Sequence, residues 1–151
     1  MTKHRLCVAV LLVFAASLAS LAGDDKDKDK KQIKDAERLL GVWIMVKGEV
    51  GDRSIVDASE PLDEWTFDKD SIIAKHRGKT YAKNRLNYEI DPKATPRNID
   101  LEFDGKKIFL GIYEFDGDRL RICYNMKKRP RQFASDEDSD PRSVLMEFKK
   151  K

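Results

Sequence analysis

From Gly41 onward the chain alternates polar and apolar residues in short runs, and most of these runs are separated by two- or three-residue turns. A period of two predicts strands with one buried face, whereas a helix would repeat every 3.6 residues. Asp104-Gly105 and Asp116-Gly117 are strong hairpin signals, and Asp68-Lys69-Asp70 is a polar turn between two further runs. The alternation therefore limits the chain to a mostly antiparallel β architecture.

About eight strands are predicted, nearly all joined by short turns. Closure removes the exposed edges of such a sheet, so an antiparallel barrel is favoured, and a two-sheet sandwich is the alternative. A barrel of this size is filled by side chains or holds one small ligand. One short helix at 32–40 precedes it, with apolar residues at helical spacing and Gly41 at its end. The predicted strands are 42–50, 62–67, 71–75, 80–90, 98–103, 106–115, 119–124 and 144–148, with a short piece at 53–57.

The first 22 residues have the three regions of a secretory signal: a basic start, an apolar run from 6 to 19, and Ser20-Leu21-Ala22 before the cleavage point. The alternative is a retained membrane anchor, but this run is shorter than the about 20 residues that a span needs. Residues 23–31 hold only glycine, acids and lysines, which predicts a solvated tether. We therefore expect an exported protein, periplasmic or extracellular, with no membrane span after cleavage and one domain at 32–151.

The charge balance and the cysteine count limit the binding partners and the disulfide bonds that can be expected. Without Lys3 and Arg5, 28 of the 30 basic residues remain against 27 acids, a balance that argues against a nucleic-acid partner. Cys7 leaves with the signal, so Cys123 has no partner for an intramolecular disulfide. We predict Cys123 to be a small buried side chain; a reactive thiol or a bond between chains is the alternative.

Several segments together resemble one known family: Leu40 to Trp43 (LGVW), Asp91-Pro92 through 98–101 (NIDL), Leu110 to Cys123 (LGIYEFDGDRLRIC) and Arg129 to Phe133 (RPRQF). The chain is similar, over 35–149, to a small exported domain of unknown function that is expanded in planctomycete bacteria. That resemblance implies a lipocalin-like barrel and no established activity. The Gly41-x-Trp43 placement also resembles that of lipocalins, in which a cation from the chain's end covers the tryptophan; here that cation must be a lysine.

The sequence contains no recognisable set of catalytic residues. His76 is the only histidine after the signal and is expected to be exposed, no Gly-x-Ser-x-Gly elbow occurs, and a His-based zinc site lacks ligands. Paired acidic residues could serve as catalytic carboxylates, but they lie mostly in predicted turns, where such residues favour the turn and stay solvated. Asp136, Asp138 and Asp140 have the spacing of a calcium loop, but Pro141 stands where that loop needs glycine. We predict no catalytic residues, no metal, no cofactor and no enzymatic activity.

The candidate ligand-binding residues fall into two groups. Aromatic residues of predicted strands are candidates to line the barrel interior: Trp65, Phe103, Tyr113 and Tyr124. The long charged connection at 125–142 supplies Arg129, Arg131 and Phe133, of which Phe133 is a candidate plug for the barrel mouth. Strand 108–113 (IFLGIY) is apolar on both faces, which predicts that its outer face is covered. We expect a binding module for a small apolar ligand or an envelope protein; a fully packed structural or interaction domain is the alternative, and an enzyme comes last.

Overall fold

The computed structural model describes residues 34–57, 63–135 and 141–151, with backbone only at 81–84. The predicted signal, the tether and the acidic spacing at 136–140 lie outside the described residues. Helix α1 covers 34–39, at the place where the sequence predicts a helix. The strands are β1 Gly41–Val50, β2 Arg53–Ser54, β3 Glu64–Phe67, β4 Ser71–His76, β5 Lys79–Asp91, β6 Arg97–Phe103, β7 Lys106–Asp116, β8 Arg119–Asn125 and β9 Val144–Lys150.

Eight of these strands form a closed antiparallel barrel. Neighbours along the chain from β3 to β9 pair with one another, and β1 pairs with β3 on one side and with β9 on the other. The two-residue β2 pairs only with the end of β1 and lies outside the barrel wall. Because one continuous sheet closes on itself, the predicted barrel is confirmed and the sandwich alternative is wrong.

The tight turns follow from residues that tolerate left-handed backbone. Asp104 and Gly105 have φ of 51° and 70°, the pair of positive values that a type I′ hairpin turn requires. Gly41, at the junction of α1 and β1, has φ of 109°, a backbone conformation that residues with a Cβ rarely adopt. These positions let α1 turn directly into the barrel wall and let β6 return as β7.

Helix α1 closes one end of the barrel, which we call the closed end. Leu39 is fully buried there, and the Trp43 indole Nε1 donates a hydrogen bond of 2.7 Å to the Leu39 carbonyl. The Lys150 ammonium donates to the Arg38 carbonyl at 2.9 Å and lies 5.1 Å from the centre of the Trp43 ring. A lysine near the chain's end therefore covers the tryptophan, as expected.

The opposite end, which we call the open end, carries the turns at 51–52, 77–78 and 104–105 and the start of the connection after β8. The Lys151 amide donates to the Val42 carbonyl, so the end of β9 and the start of β1 are both at the closed end.

Candidate functional site

A ring of six side chains faces the barrel interior just inside the open end. Side chains alternate between the two faces of a strand, and each of β4 to β9 contributes one inward residue near the open end. Five of them are partly buried and pack against the core, whereas Phe103 is 42% exposed. We call this ring the cup: Ala74, Leu86, Phe103, Phe109, Tyr124 and Val144.

Below the cup the interior is filled by side chains. Leu101, Met146 and Trp65, which lie one level further in, are only 1%, 2% and 7% exposed. Trp65 contacts the Phe148 ring at a centroid distance of 5.1 Å, and such aromatic contacts continue down to Trp43 and Phe115 at the closed end, 6.2 Å apart. The interior is thus packed at the closed end and accessible at the cup.

Tyr124 is the polar member of the cup. Its ring lies 4.6 Å from that of Phe109. Burial raises the pKa of Tyr124 to about 12, because the surrounding apolar side chains disfavour the phenolate. Tyr124 nevertheless keeps solvent-accessible surface. The Tyr124 hydroxyl therefore stays protonated at neutral pH.

Gly111 keeps the wall beside Tyr124 free of a side chain. It lies directly opposite Tyr124 in the β7–β8 register, on the inner face. A Cβ at this position would lie 2.9 Å from the Ile99 carbonyl oxygen and 3.2 Å from that of Cys123, closer than neighbouring backbones allow. The barrel wall therefore requires glycine here, because the Ile99 carbonyl and side chain already fill the position that a Cβ would take.

Tyr113, a predicted lining residue, lies in the packed closed end and not in the cup. It is fully buried, and its hydroxyl donates to Asp35 of α1 at 2.9 Å. Asp35 is 3% exposed and also pairs with Arg97 at 3.2 Å. Burial and the Asp35 charge raise the pKa of Tyr113 far above its ordinary value, so the phenol remains a donor. This network attaches the helix to the barrel and leaves Tyr113 no group to offer a ligand.

Phe133 does not plug the barrel mouth, and that prediction is wrong. It packs on the outer face of the barrel against a second buried cluster of Ile112, Cys123 and Leu145. The Arg121 guanidinium lies 5.0 Å from the Phe133 ring centre on the same side. Ile112 and Leu145 point away from the barrel interior and would expose apolar surface to water. Phe133 of the connection after β8 covers them. The predicted covering of strand 108–113 is confirmed.

Arg129 also lies on the outer face. Its guanidinium is 2.7 Å from the Asp100 carboxylate and donates to the Gly111 carbonyl at 2.5 Å. The Lys107 ammonium lies 3.2 Å from the same Asp100 carboxylate and 3.0 Å from the carboxylate of Glu89. Arg131 is exposed and lines a cleft of about 540 Å³ within the connection itself. Because Asp100 neutralises Arg129, we assign this cluster the role of attaching the 126–135 segment to the barrel.

Replacing Asp100 with asparagine is expected to lower the free energy of unfolding by about 1–3 kcal/mol at neutral pH, the usual worth of hydrogen bonds to charged groups. Burial opposes ionisation of Asp100, but the ion pair with Arg129 and the hydrogen bond from Lys107 outweigh it and hold its pKa below the usual 3.8. Because the folded state lowers this pKa, ionised Asp100 stabilises the fold at pH values above 3.8. This contribution is lost as the pH falls through the folded-state pKa. Urea unfolding of both proteins at neutral and acidic pH measures the difference, which should shrink in acid; an unchanged difference contradicts the assignment.

The seven predicted ligand-binding residues therefore do not converge on one site. Phe103 and Tyr124 belong to the cup, and Trp65 lies at its floor. Tyr113 is at the closed end, and the three residues of the connection lie outside the barrel. Sequence reasoning missed the aliphatic members of the cup and Phe109, although their alternation places them on the inner face: Ala74, Leu86 and Val144.

Two further predictions concern reactive groups. Cys123 is fully buried, as expected, and burial raises the pKa of its thiol; its Sγ lies 3.4 Å from the Ala134 carbonyl. His76 is exposed, as expected, and its ring pairs with Asp63 at 2.9 Å. Within 34–57, 63–135 and 141–151, no three His, Cys, Asp or Glu side chains come together as metal ligands. Over the same ranges no helix has the length and apolar character to cross a membrane.

The fold and site define a closed eight-stranded antiparallel barrel with a helix over one end and an apolar cup at the other. No family model, curated protein or solved structure matches the chain at a significant level. The resemblance to the exported lipocalin-like family therefore stays a prediction.

Proposed function

We propose that this chain is an exported, non-enzymatic binding module that holds a small apolar molecule in the cup. The observation that carries the proposal is the change in burial along the barrel axis. Most inward-facing side chains at the closed end and at the floor are almost fully buried, with Ile90 and Phe115 partly buried, whereas every side chain of the cup keeps some exposed surface. A barrel built only for stability has no need to leave such side chains unpacked, since filling an apolar space is favourable.

The composition of the cup supports an apolar ligand. Its side chains are aliphatic or aromatic, and five of the six pack against the barrel core. Ligand sites in proteins are concave and mostly apolar, with a few polar groups that orient the ligand. The floor at Trp65 limits the depth, so the cup suits a small molecule or one end of a longer one.

Export is the second part of the proposal, and it rests on the three-part signal in the first 22 residues. A periplasmic or extracellular barrel meets apolar molecules that have left a membrane or entered from outside. Helix α1 covers the closed end, and the cup lies at the far end of the barrel.

A packed structural or interaction domain is the second candidate, and the aromatic packing of the closed end favours it. The rings of Phe67 and Tyr88 lie 5.4 Å apart, and those of Trp65 and Phe67 6.1 Å apart, so this half of the barrel has a dense core. Under this alternative the protein acts through its outer surface, and an envelope protein is the partner. The two candidates differ in whether the cup ever holds a ligand.

Filling the cup should abolish binding. The test titrates the purified protein with the neutral fluorescent probe phenylnaphthylamine and with a panel of apolar compounds that displace it. We expect saturable binding to the unmodified protein and a loss of affinity of about ten-fold or more in Val144→Phe, because the added ring occupies the ligand's space.

Ile73→Phe is the matched control. Ile73 is also partly buried in the barrel wall, but it lies on the outer face next to the inward-facing Ile72. The control should bind as the unmodified protein does, and thermal unfolding confirms that both variants are folded. Equal binding by all three proteins, or no binding by any, refutes the cup as a ligand site.

A further inference from the structure

A cleft of about 540 Å³ lies on the outer side of the barrel, between the connection that follows β8 and the chain that enters β9. Residues of the 128–134 segment line one side of it, and Ser143 lines the other. Ser143 precedes the inward-facing Val144, so its own side chain faces outward. We propose that this space, which we call the basic cleft, binds the phosphate group of a small anionic molecule. The inference goes beyond the proposed function, because the basic cleft lies outside the cup.

Asn125 holds the backbone around the basic cleft in place. It is 1% exposed, and its side-chain oxygen accepts from the Lys127 amide at 2.8 Å while its side-chain nitrogen donates to the Pro141 carbonyl at 2.6 Å. One buried side chain thus joins the two chain segments that border the cleft. The Cys123 thiol also donates to the Ala134 carbonyl, at 3.4 Å. The cleft is therefore built into the fold, and a ligand binds there without first ordering these parts of the backbone.

The described residues that line the basic cleft include three cations and no acid. Arg129 is paired with the Asp100 carboxylate at 2.7 Å, so it adds little net charge. Lys128 and Arg131 are exposed and face the same space. Arginine offers phosphate a planar fork of donors, and lysine offers it a compact charge. The cleft therefore presents two cations of the kind that bind phosphate in proteins.

Neutral donors favour a phosphate group over a carboxylate. Gln132 contributes an amide, and the hydroxyl of Ser143, which is 6% exposed, accepts from Asn125 Nδ2 at 3.4 Å and keeps its own proton for another acceptor. With Lys128 and Arg131, donors from four side chains surround the cleft. A phosphate monoester has three terminal oxygens to accept from them, whereas a carboxylate has two. The volume lies within the range of small-molecule sites, about 300–1,000 Å³, and leaves room for the rest of the ligand.

The test titrates the purified protein by calorimetry at low ionic strength with glycerol phosphate, glycerate, glycerol and inorganic phosphate. The first three compounds share a three-carbon frame and differ in carrying a phosphate, a carboxylate or no charge. We expect saturable binding of glycerol phosphate and inorganic phosphate, binding of glycerate weaker by about five-fold or more, and no binding of glycerol. Added salt should weaken the binding of phosphate, because exposed charges are screened.

Arg131→Gln and Lys128→Gln each remove one cation from the basic cleft. Each change should weaken the binding of glycerol phosphate by about ten-fold, as the loss of a hydrogen bond from a charged group does. Lys106→Gln is the matched control, because Lys106 is exposed at the start of β7, outside the lining, and the change removes the same charge. Its affinity should stay within about two-fold of the unmodified protein. All three positions are exposed, and thermal unfolding checks that the variants are folded.

Three outcomes overturn the proposal. Equal weakening by Lys106→Gln and Arg131→Gln would mean a general attraction of anions and no defined site. Glycerate that binds as tightly as glycerol phosphate would refute the assignment to phosphate. Absence of binding to the unmodified protein refutes it as well, including the case in which the acids at 136–140 cancel the charge of the cleft. Each of these results leaves phenylnaphthylamine binding in the cup, and with it the proposed function, untouched.

Sedimentation with vesicles of phosphatidylcholine and phosphatidic acid separates two sources of the phosphate group. Sedimentation of the unmodified protein that is lost in Arg131→Gln supports the proposal and places the phosphate on a lipid headgroup. Binding of glycerol phosphate without sedimentation supports it and places the phosphate on a soluble molecule. Sedimentation that is equal in both proteins, together with no binding of glycerol phosphate, overturns the proposal.

Discussion

Trp43→Ala should lower the free energy of unfolding by about 3–5 kcal/mol, as large-to-small changes of buried aromatic residues do. Trp43 is 2% exposed at the closed end, where its indole contacts Phe115, lies under Lys150 and donates to the Leu39 carbonyl. The change removes the ring and also leaves that carbonyl without its partner. Chemical denaturation followed by circular dichroism measures the loss.

Phe103→Ala is the matched control, because it also removes an aromatic ring from the inner face. Phe103 is 42% exposed at the cup, so its truncation should cost about 1 kcal/mol or less. The ratio of the two effects tests the description of a packed closed end and an accessible cup. Equal losses in the two variants contradict that description.

Asp35→Ala should lower the free energy of unfolding by about 2–4 kcal/mol, since it leaves a fully buried phenol without an acceptor and Arg97 without its carboxylate. The exposed Glu37 on the same helix provides the control, and Glu37→Ala should change stability by no more than about 0.5 kcal/mol. Both values come from denaturant unfolding curves.

A double-mutant cycle with Tyr113→Phe identifies the cause. Removing the hydroxyl as well removes the unpaired donor, so the double variant should be more stable than the sum of the two single changes predicts. Strict additivity would mean that Asp35 and Tyr113 do not stabilise the fold through their hydrogen bond, and the account of how α1 attaches to the barrel would be wrong.

Most of the fold could be predicted because the period of two is a local property of the chain. The alternation fixes which face each residue takes, and the Asp-Gly pairs at 104–105 and 116–117 fix two hairpins. The bounds of the eight barrel strands agree within one or two residues, as in the long strand predicted at 80–90 and observed as Lys79–Asp91, whereas the short piece predicted at 53–57 is only Arg53–Ser54. Closure follows from the strand count, since a sheet of this length without protected edges is unfavourable.

The candidate site was harder to predict, because alternation gives the face of a residue but not its level along the barrel axis. Tyr113 and Tyr124 both face inward, yet Tyr113 is in the closed end and Tyr124 is in the cup. Their levels depend on how far each tilted strand is displaced along its neighbours, and this register is a property of the closed sheet. Selecting aromatic residues by type therefore mixed core residues with cup residues.

Long-range contacts also escaped sequence reasoning. The spacing of α1 indicates a packed helix, but no local pattern shows that Asp35 is buried against Tyr113, 78 residues away. The connection after β8 posed the same problem, since its aromatic residue could cover either the mouth or the outer face. The apolar outward residues Ile112 and Leu145 were the signal that favoured the outer face.

The central claim is that the cup holds a small apolar molecule, and methyl NMR tests it most directly. Decanone is titrated into protein with labelled methyl groups, and the shifts of the cup methyls of Ala74, Leu86 and Val144 are followed with those of Ile73 on the outer face. The account predicts saturable shifts and ligand contacts confined to the cup methyls. Unchanged cup methyls at saturating decanone, or shifts confined to the outer face, would contradict it.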